Sequence, residues 1–160
     1  QRHLTIPCEM CIRDSNGSPS IFKKIDEGLN YYTNGITGYI DVRDVSKIIH
    51  LISKEELSGE RFILNESNYP YKYMFSEIAT AINKPTPQKE ASKFLLNIVL
   101  ILLSIKSSIL NQTPLLTKSS VKTSLKKNYY SNQKITNHLH FGFTPITETI
   151  SFIAKNFRSA

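Results

Sequence analysis

Apolar residues recur at helical spacing in the first third of the chain and predict two amphipathic helices. The first is predicted from Ser18, an N-cap residue followed by Pro19 in the first turn. The second is predicted to follow Asp44, whose carboxylate can cap it. The apolar faces comprise Ile21, Phe22, Ile25 and Leu29 in the first helix and Val45, Ile48, Ile49 and Ile52 in the second.

The same periodicity predicts more helices later in the chain. One runs from Tyr71 to the breaker sequence NKPTP, and residues 90–125 are predicted to be helical in two pieces broken near Pro114. Ser131 is predicted to cap a short helix, and Thr144 with Pro145 to open the last one. The apolar stripe of that last helix comprises Ile146, Ile150, Ile153 and Phe157.

Two short segments, ITGYIDV and GERFILNE, have the alternation and composition of strands. Two such strands cannot form an independent sheet, so the pattern indicates an α/β chain, mostly helical with two or three short strands, whose main sheet lies upstream. We expect the faces of the first two helices to pack on that upstream part. The 160-residue chain is therefore expected to fold poorly alone.

Composition is that of a globular protein, with 40% hydrophobic and 21% charged residues. The net charge of +7 comes from 15 lysines and five arginines against 13 acids. A basic surface can attract nucleic acid or anionic lipid. Nucleic-acid readers rely on arginine, and this chain has few arginines, so no nucleic-acid partner is expected. Lys118, Lys122 and Lys126 share a helix face that is either solvated or lines an anionic pocket.

The longest apolar run, residues 94–105, is shorter than the roughly 20 residues that a spanning helix needs. A buried or interfacial helix is expected there instead, which leaves peripheral membrane contact open. No N-terminal stretch resembles a secretory signal, so a cytoplasmic location is the default expectation.

Both cysteines, Cys8 and Cys11, lie at C-x-x-C spacing. A structural zinc site needs a second pair of ligands, and no second Cys or His pair at suitable spacing follows. A thioredoxin-like site needs a helix that begins at the motif, and the sequence predicts none there. We therefore expect no metal site and no redox site.

The segment that contains the cysteines has another interpretation. Glu9 to Ser15 can be written GAG ATG TGT ATA AGA GAC AGC, which resembles the transposon end that tagmentation attaches to DNA in sequencing libraries. Residues 1–15 are therefore expected to be a non-biological adapter segment, and the biological chain to begin in mid-protein.

Three motifs in order carry a family resemblance. Residues 39–46 read YIDVRDVS where the family has Y/F-V-H-V-D-D-V-A, residues 59–64 read GERFIL for G-E-x-Y-x-L, and residues 131–146 match a late D-x-S-K…L-G-F-x-P segment. The chain resembles the C-terminal half of the NAD-dependent epimerase/dehydratase family, the extended short-chain dehydrogenase/reductases. Within that family it is most similar to the dihydroflavonol-reductase-like oxidoreductases.

The resemblance implies a fold and a cofactor. Residues 16–160 would be the substrate-side part of an extended Rossmann-type fold, whose missing lobe holds NAD or NADP on a Gly-rich turn and carries a catalytic Tyr-x-x-x-Lys pair. This chain contains no G-x-x-G-x-x-G, so no cofactor-binding or catalytic residue is expected in it. Tyr130 and Lys134 have the Y-x-x-x-K spacing, but Tyr130 is predicted to precede the helix that holds Lys134.

The resemblance also implies a reaction and candidate substrate-binding residues. The parent enzyme would transfer hydride to or from a hydroxyl or carbonyl carbon of a small or sugar-like substrate, and this chain alone would be inactive. UDP-sugar epimerases of the family have an arginine where this chain has Thr37, which favours the reductase-like branch. The candidate substrate-binding residues are Tyr39, Arg43 and Lys122, and the alternatives are a basic nucleic-acid-binding module and a peripheral membrane protein.

Overall fold

The computed structural model describes residues 3–5, 19–55, 59–110 and 118–157, without the side chains of 3–5, 19, 102–110, 118 and 120. The helices among them are α1 (Pro19–Asp26), α2 (Val42–Ser53), α3 (Tyr71–Ala81), α4 (Lys93–Leu110), α5 (Lys118–Ser124), α6 (Gln133–Leu139) and α7 (Ile146–Phe157). The strands are β1 (His3–Thr5), β2 (Tyr31–Tyr32), β3 (Ile36–Tyr39), β4 (Arg61–Ile63), β5 (Ser67–Pro70) and β6 (Lys89–Glu90).

The strands form three separate pairs. β1 pairs with β4 and β2 with β6, both in parallel, whereas β3 and β5 are antiparallel. The sequence predicted β3 and β4 but not β5. The residues of β5 form a strand because their backbone pairs with β3. In addition, the side-chain amide of Asn68 donates to the Tyr130 carbonyl and accepts from the Tyr130 N–H. Polar side chains are compatible with a strand whose hydrogen bonds are satisfied in this way.

β1 lies inside the segment expected to be non-biological. Its residues His3, Leu4 and Thr5 are in register with Arg61, Phe62 and Ile63 of β4. The codon match to the adapter covers only Glu9 to Ser15, and those residues lie outside the described part of the chain. The division of the chain at residue 15 stays a prediction.

A first core joins α1, α3 and α7. Phe22 and Ile25 of α1 are buried together with the apolar faces of α3 and α7. The buried members of this core are Phe22, Ile25, Tyr39, Met74, Ile78, Ala79, Ile82, Ile146, Ile150, Ile153 and Ala154. The predicted stripe of the last helix is therefore confirmed at its three isoleucines.

A second core joins α2, β4 and α6. Its buried members are Ile40, Val45, Ile48, Ile52, Phe62, Leu64 and Ile135. The expectation that the faces of α1 and α2 pack on an upstream lobe is wrong, because residues of this same chain bury both faces. Ile49 belongs to the predicted α2 stripe but is 49% exposed, since it lies one residue, about 100° of helix rotation, from the inward-facing Ile48.

The short helix α6 begins after Asn132. Ser131 Oγ accepts a hydrogen bond from Gln133 N at 3.4 Å, so the predicted cap lies one residue further from the helix than expected. α6 ends at Leu139 and is followed by the C-cap His140, which has a left-handed φ of 48°. Among the described residues, no helix is both long enough and apolar enough to cross a bilayer.

Candidate substrate-side site

The turn between β3 and α2 is built around Asp41. Asp41 is the N-cap of α2, with extended backbone angles (φ −75°, ψ 130°), and its carboxylate accepts a hydrogen bond from Arg43 N at 2.7 Å. The prediction that Asp44 is this cap is wrong. Helix α2 begins at Val42, so Asp44 already lies in its first turn. The chain has aspartates on both sides of the helix start, and only the backbone conformation decides which one caps it.

Arg43, one of the three candidates, is held by Asp41 and by α7. Its guanidinium donates from Nε at 3.0 Å and from Nη2 at 2.6 Å to the two carboxylate oxygens of Asp41. The same guanidinium lies 4.5 Å from the centre of the Phe152 ring. The hydrogen bond to Asp41 raises the pKa of Arg43 above its usual value. This bidentate pair fixes the planar group against α7 and occupies two of its donors.

Asp41 itself is 2% exposed and also accepts from Thr149 Oγ1 at 2.8 Å. Burial alone raises the pKa of this carboxyl, but the hydrogen bonds from Arg43 and Thr149 outweigh it and lower the pKa below its usual value. Asp44 is fully buried and bonds Thr144, just before α7. Asp41 and Asp44 therefore both connect α2 to α7 through hydrogen bonds.

Tyr39, the second candidate, closes β3 and is 5% exposed in the first core. Its ring centre lies 6.4 Å from that of Tyr69, which in turn stacks on Tyr73 at 5.1 Å. These contacts make Tyr39 part of an aromatic cluster that links β3 to β5 and α3.

Lys122, the third candidate, is exposed on α5 and lines a groove of about 610 Å³ between α4 and α5. Four apolar residues form most of the lining, and Lys93, Asn97 and Lys122 supply the polar groups. The apolar residues are Leu100, Ile101, Val121 and Leu125. An apolar groove with a few placed polar groups is the usual form of a small-molecule site. The three candidates have separate surroundings: Tyr39 in the first core, Arg43 against α7, and Lys122 in this groove.

The Tyr130 and Lys134 pair is not arranged as a catalytic pair. Tyr130 precedes α6, as predicted, and its carbonyl accepts from the side-chain amides of Asn65 and Asn68. Lys134 forms an ion pair with Glu60, and its ammonium lies 5.0 Å from the centre of the Phe62 ring. Lys134 is therefore engaged by β4.

Sequence reasoning missed one half-buried acid, Glu66. Its Oε1 accepts from the Tyr69 hydroxyl at 3.3 Å, and within the described residues its buried Oε2 has no hydrogen-bond partner. Burial raises the pKa of Glu66 above its usual value. The sequence signal was an acid shortly after an apolar strand, which is too common to single out.

Metal ligands are not clustered in the described part of the chain, where no three His, Cys, Asp or Glu residues could hold an ion together. Cys8 and Cys11 lie outside that part.

Comparisons with known proteins found matches among solved structures. No protein-family model and no curated protein matches the chain. The nucleoside-diphosphate-sugar epimerase PA4631 from Pseudomonas aeruginosa matches 96% of this chain with 45% of its own, at TM-score 0.69 and 17% identity. The UDP-glucose 4-epimerase of Thermus thermophilus, solved with NAD, matches 98% of this chain with 46% of its own, at TM-score 0.63 and 14% identity.

Gre2 from Candida albicans, solved with NADPH, matches 92% of this chain with 40% of its own, at TM-score 0.53 and 18% identity. The chain thus spans less than half the length of each of these three proteins. The expected fold class is confirmed: the chain is mostly helical with short strands and has part of the extended Rossmann-type fold that these epimerases and Gre2 share.

Proposed function

We propose that this chain is the substrate-side part of an NAD(P)-dependent oxidoreductase or epimerase that moves hydride to or from a hydroxyl or carbonyl carbon. The observation that carries the proposal is the match of nearly the whole chain to less than half of a nucleotide-sugar epimerase solved with NAD. The order of the three sequence motifs, which uses different information, supports the same class.

The described residues do not fit a nicotinamide cofactor. A dinucleotide pyrophosphate needs a Gly-rich turn and a free helix N-terminus after a strand. Here the helix that follows β3 has the Asp41 carboxylate at its N-terminus, which would repel a phosphate. After β4, the position where a Gly-rich turn would lie is taken by buried Asn65, whose side-chain amide donates to the Tyr130 carbonyl. We therefore assign the cofactor and the hydride step to residues outside this chain, and expect the 160-residue chain alone to be inactive.

The contribution of this chain is to hold the substrate. Of the three candidates, Lys122 has the surroundings of a ligand-binding group, because it lines an apolar groove and is exposed. Its ammonium would attract an anionic or strongly polar group on a substrate whose apolar part contacts Leu100 and Val121. In this proposal Tyr39 and Arg43 shape the substrate side indirectly, by fixing β3 and the start of α2.

We favour the reductase-like branch over a nucleotide-sugar epimerase because of Thr37. It lies in the middle of β3, in register with Tyr69, at the position where UDP-sugar epimerases of the resembled family have an arginine. A threonine hydroxyl cannot form the bidentate ion pair that an arginine forms with a diphosphate. A smaller or less charged carbonyl substrate is more compatible with this position.

The test begins with the longer reading frame from the same source. It should encode a Gly-rich strand-turn-helix and a helical Tyr-x-x-x-Lys upstream of residue 16, and its product should oxidise NADH or NADPH with a panel of small aldehydes and ketones. Lys122→Gln should raise KM at least roughly tenfold with a smaller effect on kcat, because one charged contact is lost. Lys24→Gln on α1 is the matched control and should leave both constants unchanged.

A second variant, Thr37→Arg, tests the preference for the reductase-like branch. In the same enzyme this substitution should improve the use of UDP-glucose relative to the small carbonyl substrates. An unrelated upstream sequence, or a longer protein without any nicotinamide-dependent activity, would overturn the proposal. Equal activity of the unmodified enzyme on UDP-sugars and small carbonyls would overturn the preference for the reductase-like branch.

A further inference from the structure

The described first half of α4 exposes an unusual apolar face. Phe94 is 75% exposed, Ile98 38% and Ile101 61%, and the i, i+4, i+7 spacing places all three on one side of the helix. Exposed apolar side chains occur singly on most proteins, but three large ones in a row on one helix form a surface that water solvates poorly.

The net charge of the chain is concentrated in the sequence segment that contains this face. Residues 84–127 contain eight lysines and a single acid, Glu90, whereas the remainder of the chain has twelve basic and twelve acidic residues. The whole charge of +7 therefore belongs to the segment that contains α4 and α5. The described lysines at the two ends of that segment, including Lys93, Lys126 and Lys127, are exposed.

We infer that the apolar face of α4 and the exposed lysines Lys93, Lys126 and Lys127 together bind the surface of an anionic lipid bilayer. The apolar side chains would enter the boundary between headgroups and acyl chains, with the helix lying in the plane of the membrane. The lysines would lie among the negatively charged headgroups, each adding attraction near the surface. This inference does not depend on the proposed enzymatic activity, although Ile101 and Lys93 also line the groove that contains Lys122.

Two other occupants fit these observations less well. A second copy of the chain would bring another +7 concentrated on the same segment, so the two faces would repel each other. Nucleic acid would use the charge but not the aliphatic face, and residues 84–127 contain no arginine for bidentate phosphate or base contacts.

The experiment is flotation of the full 160-residue chain with vesicles. Binding is expected to vesicles of phosphatidylcholine and phosphatidylglycerol in roughly equal amounts, to be absent with phosphatidylcholine alone, and to fall as salt rises. The apolar double variant Phe94→Ser/Ile98→Ser should lower the partition coefficient at least roughly tenfold. Ile49→Ser, an exposed isoleucine on α2, is the matched control and should bind like the unmodified chain.

The contribution of charge to vesicle binding is tested with the double variant Lys126→Gln/Lys127→Gln. Two lysines at an anionic surface correspond to about a thirtyfold loss of partitioning. The control Lys23→Gln/Lys24→Gln on α1 should have little effect. Circular dichroism of every variant verifies that its helices are intact.

Three outcomes would overturn the inference. The first is failure of the unmodified chain to bind anionic vesicles. The second is a concentration-dependent dimer in light scattering that Phe94→Ser/Ile98→Ser abolishes. The third is binding to duplex DNA that outcompetes the vesicles and is insensitive to that apolar variant.

Discussion

The backbone N–H of Thr144 donates to Asp44 Oδ2 at 2.6 Å, and the Thr144 hydroxyl donates to Oδ1 of the same carboxylate at 3.1 Å. The two residues are 100 positions apart in the chain. Asp44 is fully buried, and Lys47 Nζ lies 3.0 Å from its Oδ1. The sequence predicts that the Asp44 carboxylate caps α2. In the structure it instead connects α2 to Thr144, just before α7.

Removal of this carboxylate should destabilise the fold. Asp44→Ala leaves the Thr144 N–H and hydroxyl without their acceptor, which corresponds to about 2–4 kcal/mol of unfolding free energy. Urea denaturation followed by circular dichroism measures it. Asp26→Ala, which breaks the exposed pair with Lys84, should cost no more than about 1 kcal/mol. Equal losses for the two variants would contradict a special role of Asp44.

Asp41 should make the fold sensitive to acid. Its folded-state pKa is lowered by the hydrogen bonds from Arg43 and Thr149. The resulting stabilisation is fully present above the unfolded value of 3.8 and is lost as the pH falls through the folded pKa. In Asp41→Asn, the unfolding free energy should therefore be lower than in the unmodified chain at pH 7, and the difference should shrink below about pH 4.

Denaturation curves between pH 2 and pH 7 measure this difference. A deficit of Asp41→Asn that stays constant across the range would assign the role of Asp41 to shape rather than to charge. Thr149→Val serves as the companion variant. It removes one of the two side chains that donate to Asp41, so it should reproduce part of the pH-dependent loss of unfolding free energy.

Gly38 should be intolerant of a side chain. A Cβ added there would lie 2.3 Å from Oδ1 of the buried Asn65, closer than real contacts allow. Gly38→Ala is therefore expected to cost about 1–3 kcal/mol. Gly142→Ala is the control, since its Cβ would meet nothing within 4 Å. Gly38→Ala should cost less in an Asn65→Ser background than in the unmodified chain. A purely additive result would refute the clash with Asn65 and leave the Tyr130 ring, whose Cδ2 lies 2.9 Å from the added Cβ, as the obstacle.

Two adjacent isoleucines test the orientation of α2. Ile48 is fully buried in the second core, whereas Ile49 is 49% exposed. Ile48→Ala should lower the unfolding free energy by about 2–5 kcal/mol through lost burial and a new cavity, and Ile49→Ala by less than about 1 kcal/mol. Thermal melts of the two variants compare them directly, and a reversed order would mean that α2 is rotated.

The apolar periodicity of the sequence determined which segments are helical. Phe22 and Ile25 on α1, and Ile150 and Ile153 on α7, face inward as their spacing predicted, because a 3.6-residue repeat places them on one side of a helix. The motif at residues 39–46 also located the turn between β3 and α2. These features depend on local spacing, and the sequence contains that information directly.

The partners of each element were decided by the tertiary structure. β5 is polar and forms because β3 and the loop at Tyr130 satisfy its hydrogen bonds. Asp41 rather than Asp44 caps α2, and Arg43 is occupied by Asp41 and Phe152. Lys122 lines a groove only because residues of α4 and of the α5 segment meet around it. Such relations join residues far apart in the chain, and a one-dimensional pattern contains no distances between them.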